Sequence, residues 1–518
     1  MICWRIGMFL FLVSAAGATV CAADWPQWGR DNSRNMACDE KGIPDSFDPG
    51  KKLKNKDYDP ATGKNIKWIA HLGSQTYGNP VVSNGKVFVG TNDDLPERPA
   101  HGKKCGGAVL CFDEANGKRL WTLRIPRILT KDPLFNFDDL SLGVCSSPLI
   151  DGDRVYLVSN RCEVLCLDAN GMANGNDGPF TDEATFQTNP GDPSIPVTND
   201  TGDLIWRIDM LTEPGIRCWP QDAADCSILV RGDYLYVCTS NGVNRTHKQI
   251  PRPNAPSLIV LDKKTGKLIA TDDAHIGPNI FHGEWSSPAM ATINGIDLII
   301  FGAGDGRCYA FDADPCPDAD GKDVIKTVWK FDINPPERRV LNGVPVRYAT
   351  KFSASEVIAT PVVYKNRVYV DVGQDPRHGK GPGVLACIDA TKTGDITQSG
   401  RVWMYDKIAR SLSTVSIYNN LVFVADFHGI VHCLDADTGQ AYWTYDAGSP
   451  LWSSILAVDG KVFLGTENGE VLVFAATKEK KLINKIALDN KIYTTPIVAN
   501  GALYLTTQSH LYAIKAAQ

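Results

Sequence analysis

After residue 23 the chain has no apolar run long enough to cross a bilayer as a helix, which needs about 20 such residues, and no low-complexity tract. It has no HExxH, no CxxC and no CxxCH, so it offers no zinc-protease helix, no redox dithiol and no attachment site for c-type haem. Histidine is sparse. His247, His275, His378 and His428 stand far apart in sequence, so no zinc site is expected. There is no basic stripe or basic helix, and the formal net charge is −6, so no nucleic-acid partner is expected. The densest positive cluster, residues 51–56, reads as a solvated arm. The glycines of 302–307 lie within a strand hairpin and do not open a helix, so they make a turn and not a nucleotide cradle.

The first residues read as a secretory leader. Arg5 supplies charge, Ile6 to Val20 an apolar run, and Ala22 and Ala23 the small residues for cleavage before Asp24. A leader of 1–23 places the mature chain outside the cytoplasm, secreted or periplasmic. Cys21 raises the alternative of a lipid-anchored protein, with Val20 a poor match before it. Thirteen cysteines would remain, an odd number. Cys111, Cys166, Cys387 and Cys433 each precede an apolar-Asp pair, where a sister segment has Ala310, so they read as small buried residues. Cys218 and Cys226 share one loop and are the first disulfide candidate, with Cys308 and Cys316 second.

What is abundant is repetition. Each unit starts with small residues and often Pro before an apolar strand. A tight turn such as Asp-Gly-Asp or Asn-Gly-Lys, a second strand, a variable loop and a third strand ending in apolar-Asp follow. A further turn then leads to a fourth strand bearing Trp. The alternation is that of strands, and Asn-Gly and Asp-Gly between such runs mark hairpins. Units open at residues 77, 145, 225, 285, 358, 412, 452 and 493, which makes eight. The last stops after its third strand, while 61–72 carries a Thr-Gly turn and Trp68 with no earlier strands. The sequence therefore predicts an all-β, eight-bladed β-propeller of four-stranded antiparallel blades. The N-terminal strand pairs with the C-terminal blade to hide both edges. In this division 24–76 is an arm with the closing strand and 77–518 the blades.

Trp121, Trp206 and Trp443 lie four residues after Gly117, Gly202 and Gly439, and Trp68, Trp329 and Trp403 hold similar places, which suits packing between blades. This Thr-Gly…Trp element and the eightfold closure resemble the PQQ-repeat propellers, which include quinoprotein alcohol dehydrogenases, BamB-type assembly lipoproteins and many secreted PQQ-binding-like proteins. The start at Asp24-Trp25-Pro26-Gln27-Trp28 resembles the last group. A fold does not fix a function.

Strand order puts the first-to-second and third-to-fourth turns on one face. Second-to-third loops and interblade links fall on the other, where most long insertions lie, so that face is expected to recognise something. Insertions at 171–201, 314–326 and 391–400 elaborate the opposite face. Residues before each first strand should face the central funnel. Asp225, Glu284, Trp285, Glu356 and Trp452 fall there, with His282, Arg217, Trp219, Lys351 and Arg410 nearby in sequence. In a quinoprotein, the resemblance implies, carboxylates hold Ca²⁺, a tryptophan floors PQQ, Arg or Lys polarises it and a carboxylate takes the substrate proton. Glu284 and Glu356 are candidates, or else satisfy backbone donors at the funnel mouth.

The first functional reading is a monomeric, non-catalytic propeller binding protein or glycan partners in the cell envelope. The alternatives are a PQQ- and Ca²⁺-dependent dehydrogenase of alcohols or sugars, and a carbohydrate-binding propeller. The chain lacks the adjacent Cys-Cys and the haem motif of that family's alcohol dehydrogenases.

Overall fold

Eight strand openings become eight innermost strands around one axis. They are Val81–Ser83, Leu149–Asp151, Leu229–Arg231, Ala289–Ile293, Val362–Tyr364, Ser416–Tyr418, Leu456–Val458 and Ile497–Ala499, and we number the blades one to eight in that order. A computed structural model describes residues 23–53, 58–97, 104–488 and 490–516. The leader candidate at 1–22, with Cys21, lies outside the described residues, as does the 54–56 part of the basic cluster. Each blade is a four-stranded antiparallel sheet. Blade one, for example, runs Val81–Ser83, Lys86–Asn92, Gly107–Asp113 and Arg119–Ile125. Blade eight takes its fourth strand from the N-terminus. Ile66–His71 pairs antiparallel with His510–Ile514, with Ala70 opposite Leu511. The predicted eight-bladed propeller and its closure are both observed.

The repeated residues have local reasons. In the third strands Cys111, Cys166, Ala310, Cys387 and Cys433 stand opposite Trp121, Trp206, Trp329, Trp403 and Trp443, so the position must be small to admit an indole. A bulge follows each of these pairs and adds twist to the outer strand. The Asp that ends the third strand accepts from backbone N–H groups in the next turn: Asp113 from Ala115 and Asn116, Asp435 from Asp437 and Thr438. That bond sets the turn.

Several of these turns then receive the indole of the preceding blade. Trp68, Trp121, Trp206 and Trp403 donate through Nε1 to the carbonyls of Glu114, Ala169, Lys263 and Ala436. Gly117, Gly266 and Gly439 lie under these rings, with φ near +70°, where any Cβ would come within 2.6 Å of an indole carbon. The opposite-face insertions also have a role. Thr201 bridges to Thr122 on the outer strand of blade one, Asp323–Ile325 lines Leu268–Asp272 of blade three, and Gly394–Asp395 lines Thr327–Asp332 of blade four. They cover outer edges that would otherwise present unpaired backbone groups.

Candidate functional site

The axis is built in tiers. At the level where each unit opens, one side chain per blade forms a ring: Asn79, Ser147, Ser227, Ser287, Thr360, Thr414, Ser454 and Thr495. Backbone N–H groups donate blade to blade around it. Ser147 donates to Ser227, Ser227 to Ser287, Thr360 to Thr414, Thr414 to Ser454, Ser454 to Thr495 and Thr495 to Asn79, while Asn79 Nδ2 reaches Ser147 Oγ. Short hydroxyl side chains suit this tier because they accept a bond without filling the channel.

Below the belt, on the face of the tight turns, the segment from Ala23 to Met36 crosses the axis and bonds every blade. Trp25 exchanges two backbone bonds with Val82, and Pro26 accepts from Ile150. Asn32, Ser33 and Met36 accept from Met290, Val363 and Ala457, Asn35 Oδ1 accepts from Ile417, and Ala23 accepts from Asn500. Arg34, 0% exposed, serves blades three and four through the carbonyls of Ile228 (2.9 Å) and Pro288 (2.8 Å). Burial lowers its guanidinium to about 10. The arm thus plugs one end of the channel, and the other end opens on the loop-rich face.

Above the belt a cavity of about 460 Å³ opens, with Asp225, Trp285, Leu412, Trp452 and Tyr77 on its walls and Asp222, Asp375 and Arg377 at its rim. The wall from blades seven, eight and one is aromatic. Tyr77 stacks on Tyr493 at 5.1 Å, Trp452 meets Tyr493 at 4.8 Å, and Phe427 meets Trp452 edge-on at 5.3 Å. Glu467 ties this wall together, accepting from Trp452 Nε1, Tyr493 and Lys491. Burial opposes its ionisation, yet these bonds hold its carboxyl below the usual range. The opposite wall, from blades three to five, is acidic. Asp225 is half-buried, one of its carboxylate oxygens has no partner among the described residues, and burial pushes its carboxyl up to about 7. Asp222 and Asp375 hold Arg377, the one guanidinium in the lining among the described residues.

Beside Trp285 three imidazoles meet. His282 is 1% exposed and packs edge-on against Trp285 at 5.0 Å. His247 and His378 lie 4.7 and 4.3 Å from it, ring centre to ring centre, and bond each other at 3.0 Å. Burial pulls His282 and His378 down to about 4, which leaves both neutral. Glu356 lies 3.7 Å from His282 Nδ1, and burial pushes its carboxyl up to about 8.

Of the residues singled out in the sequence, Asp225, Trp285 and Trp452 line the funnel, and His282 and Glu356 join in the histidine cluster. Glu284 is buried against Gly304, outside the funnel lining, and burial raises its carboxyl well above the usual range. Arg410 is spent on the carbonyls of Gly379 and Thr350 and on Ser355 Oγ. Arg217 and Lys351 are exposed, Lys351 with its ammonium over Phe352, and neither lines the funnel. No bridge joins Cys218 to Cys226. Cys218 Sγ lies 3.7 Å from Cys162 Sγ, and Cys226 Sγ accepts from Cys238 N–H. Cys308 and Cys316 are free as well.

The expectation of scattered histidines is corrected. His247, His282 and His378 converge because a second-to-third loop of blade three, the link from blade three to four and a second-to-third loop of blade five all rise on one face. The face rule places these three on the loop-rich side but places His275 and His428 there too, so it does not single out the cluster.

A family model described as outer membrane protein assembly factor BamB matches residues 56–173, 339–445 and 428–518. The chain belongs to this PQQ-repeat propeller family. It is also 22% identical over 519 residues to quinohemoprotein alcohol dehydrogenase ADH IIB of Pseudomonas putida, covering 85% of this chain and 69% of that protein. Among solved structures it is similar to BamB from Moraxella catarrhalis (TM-score 0.55, 13% identity, 87% of this chain and 99% of that one). It is similar too to a europium-containing methanol dehydrogenase (TM-score 0.58, 11% identity, 95% and 98%). These likenesses show the propeller fold.

Proposed function

We propose that this PQQ-repeat propeller is a non-catalytic binding protein of the cell envelope, exported by its leader, whose axial funnel receives a cationic group of a ligand or protein partner. The observation that carries the reading is the pairing of aromatic faces, Tyr77 and Trp452 backed by Tyr493, with the carboxyl group of Asp225 across one cavity, at whose rim Asp222 and Asp375 already hold one guanidinium, that of Arg377. Aromatic faces and carboxylates together suit a protonated amine or guanidinium. The family description, an outer membrane assembly factor, supports a protein partner.

The donor set does not fit Ca²⁺ and PQQ. A hard cation needs converging oxygen ligands, whereas Glu284 sits behind the wall and Glu356 faces an imidazole. Of the cations the sequence offered for polarising a quinone, Arg410, Lys351 and Arg217 lie outside the funnel, and Arg377, which does line it, is held by Asp222 and Asp375.

Fluorescence titration of the mature protein tests this reading. Phenethylammonium should shift Trp emission saturably and bind several-fold more tightly than phenethyl alcohol, as a cation–π contribution of about 1 kcal/mol implies. Trp452→Ala should abolish the difference. Saturable PQQ binding in Ca²⁺ with alcohol-dependent dye reduction would replace this reading by a dehydrogenase.

A further inference from the structure

We propose that His247, His282 and His378 bind one late first-row divalent cation of the Zn²⁺ class through three imidazole nitrogens. This site is separate from the amine funnel and does not depend on that reading.

One ligand nitrogen from each histidine lies within 4.8 Å of the other two. A tetrahedral Zn²⁺ with bonds of about 2.0–2.1 Å sets its nitrogens roughly 3.3 Å apart, so an inward movement on the order of 1 Å completes the set. The three residues come from three separate loops, so no single turn forces them together. Among the described residues, both nitrogens of His282 are buried without a hydrogen-bond partner, and so is Nδ1 of His378. A buried polar atom left unpaired costs about 1–3 kcal/mol, and a metal would satisfy it. Glu356 has both oxygens unpartnered beside His282 Nδ1. There it acts as a positioning residue, accepting the imidazole N–H so that the other nitrogen faces the metal. Imidazole donors favour Zn²⁺, Ni²⁺ or Cu²⁺ over Ca²⁺ and Mg²⁺. Three protein ligands leave a fourth position for water or a ligand atom.

The test uses the mature protein stripped with a chelator, then titrated with ZnCl₂ by calorimetry and assayed for bound metal. One Zn²⁺ per chain is expected, not displaced by millimolar Ca²⁺. Co²⁺ should give visible d–d absorption without a thiolate charge-transfer band, which excludes the buried cysteines as ligands. His247→Ala and His378→Ala, at half-buried positions, should each weaken binding more than tenfold, and Glu356→Gln by about tenfold with stoichiometry kept. His275→Ala and His428→Ala, at exposed positions, should change nothing. Circular dichroism establishes folding, and His378→Gln replaces any variant that does not fold. Absence of stoichiometric Zn²⁺, a thiolate band, or full affinity in the folded His247 and His378 variants would overturn the proposal.

Discussion

The indole N–H of Trp28 donates to Thr360 Oγ1 at 3.0 Å, and this bond stands where the hydroxyl belt passes from blade four to blade five. At the neighbouring steps an N–H of one blade meets the acceptor of the next, but here the arm supplies the donor. Trp28→Phe should cost about 1 kcal/mol by loss of that bond. Trp28→Ala should cost about 3–5 kcal/mol by the cavity it leaves under the funnel. Urea unfolding checks both, and an unchanged stability for Trp28→Phe would show that the bond to the belt does not matter.

Arg34 is the arm's strongest anchor, since its guanidinium bonds carbonyls of Trp28, Ile228 and Pro288 at 2.7, 2.9 and 2.8 Å. Arg34→Met keeps the bulk and removes the donors. The stranded carbonyls should lower stability by at least about 3 kcal/mol, read as a shift in the urea midpoint without change in slope.

In the belt, Thr414 Oγ1 accepts the N–H of Thr360 at 3.0 Å. Thr414→Val preserves shape and leaves that buried N–H unpaired. A loss of about 1–3 kcal/mol is expected, whereas Ser→Thr exchanges in the belt that keep the acceptor should be mild.

Gly439 and Gly460 give a matched pair for the interblade indoles. Both have φ near +70°, but a Cβ at Gly439 would meet the Trp403 ring at 2.6 Å while one at Gly460 meets nothing within 4 Å. Gly460→Ala should cost about 1 kcal/mol for the backbone alone. Gly439→Ala should cost more, by up to about 3 kcal/mol for overpacking. Equal losses would remove the packing role assigned to Trp403.

Burial holds Asp225 protonated to about pH 7, against the ordinary 3.8. Between these values the folded chain keeps a proton that the unfolded chain has released. Stability from this group is therefore full below about pH 4 and declines as pH rises to 7. The limit is about 4 kcal/mol, at roughly 1.4 kcal/mol per pH unit. Asp225→Asn should flatten that part of the stability profile. An unchanged slope between pH 4.5 and 7.5 would show that Asp225 is ionised in the fold.

The propeller was legible because its signals repeat: eight openings, eight third strands and a stray Thr-Gly…Trp segment at 61–72 that could only complete the last blade. The small third-strand position followed from Ala310 standing where Cys111 and Cys433 stand elsewhere. The funnel was legible in part, since Asp225, Trp285 and Trp452 sit immediately before first strands. The plug was not, because Ala23 to Met36 bonds through irregular backbone and Arg34, with no strand period to announce it. Nor was the histidine cluster, which joins residues of blades three to five that only ring closure and the loop face bring together. Glu284 shared the position rule with Trp285, but neighbouring side chains point to opposite sides of the chain, so one lines the funnel and the other is buried behind it.

The most direct test of the binding reading is a crystal structure grown with phenethylammonium. Density for the ammonium within about 6 Å of the Trp452 ring, facing Asp225, is the predicted result. Density only outside the funnel, or a funnel that excludes the amine at concentrations that shift Trp emission, would contradict it.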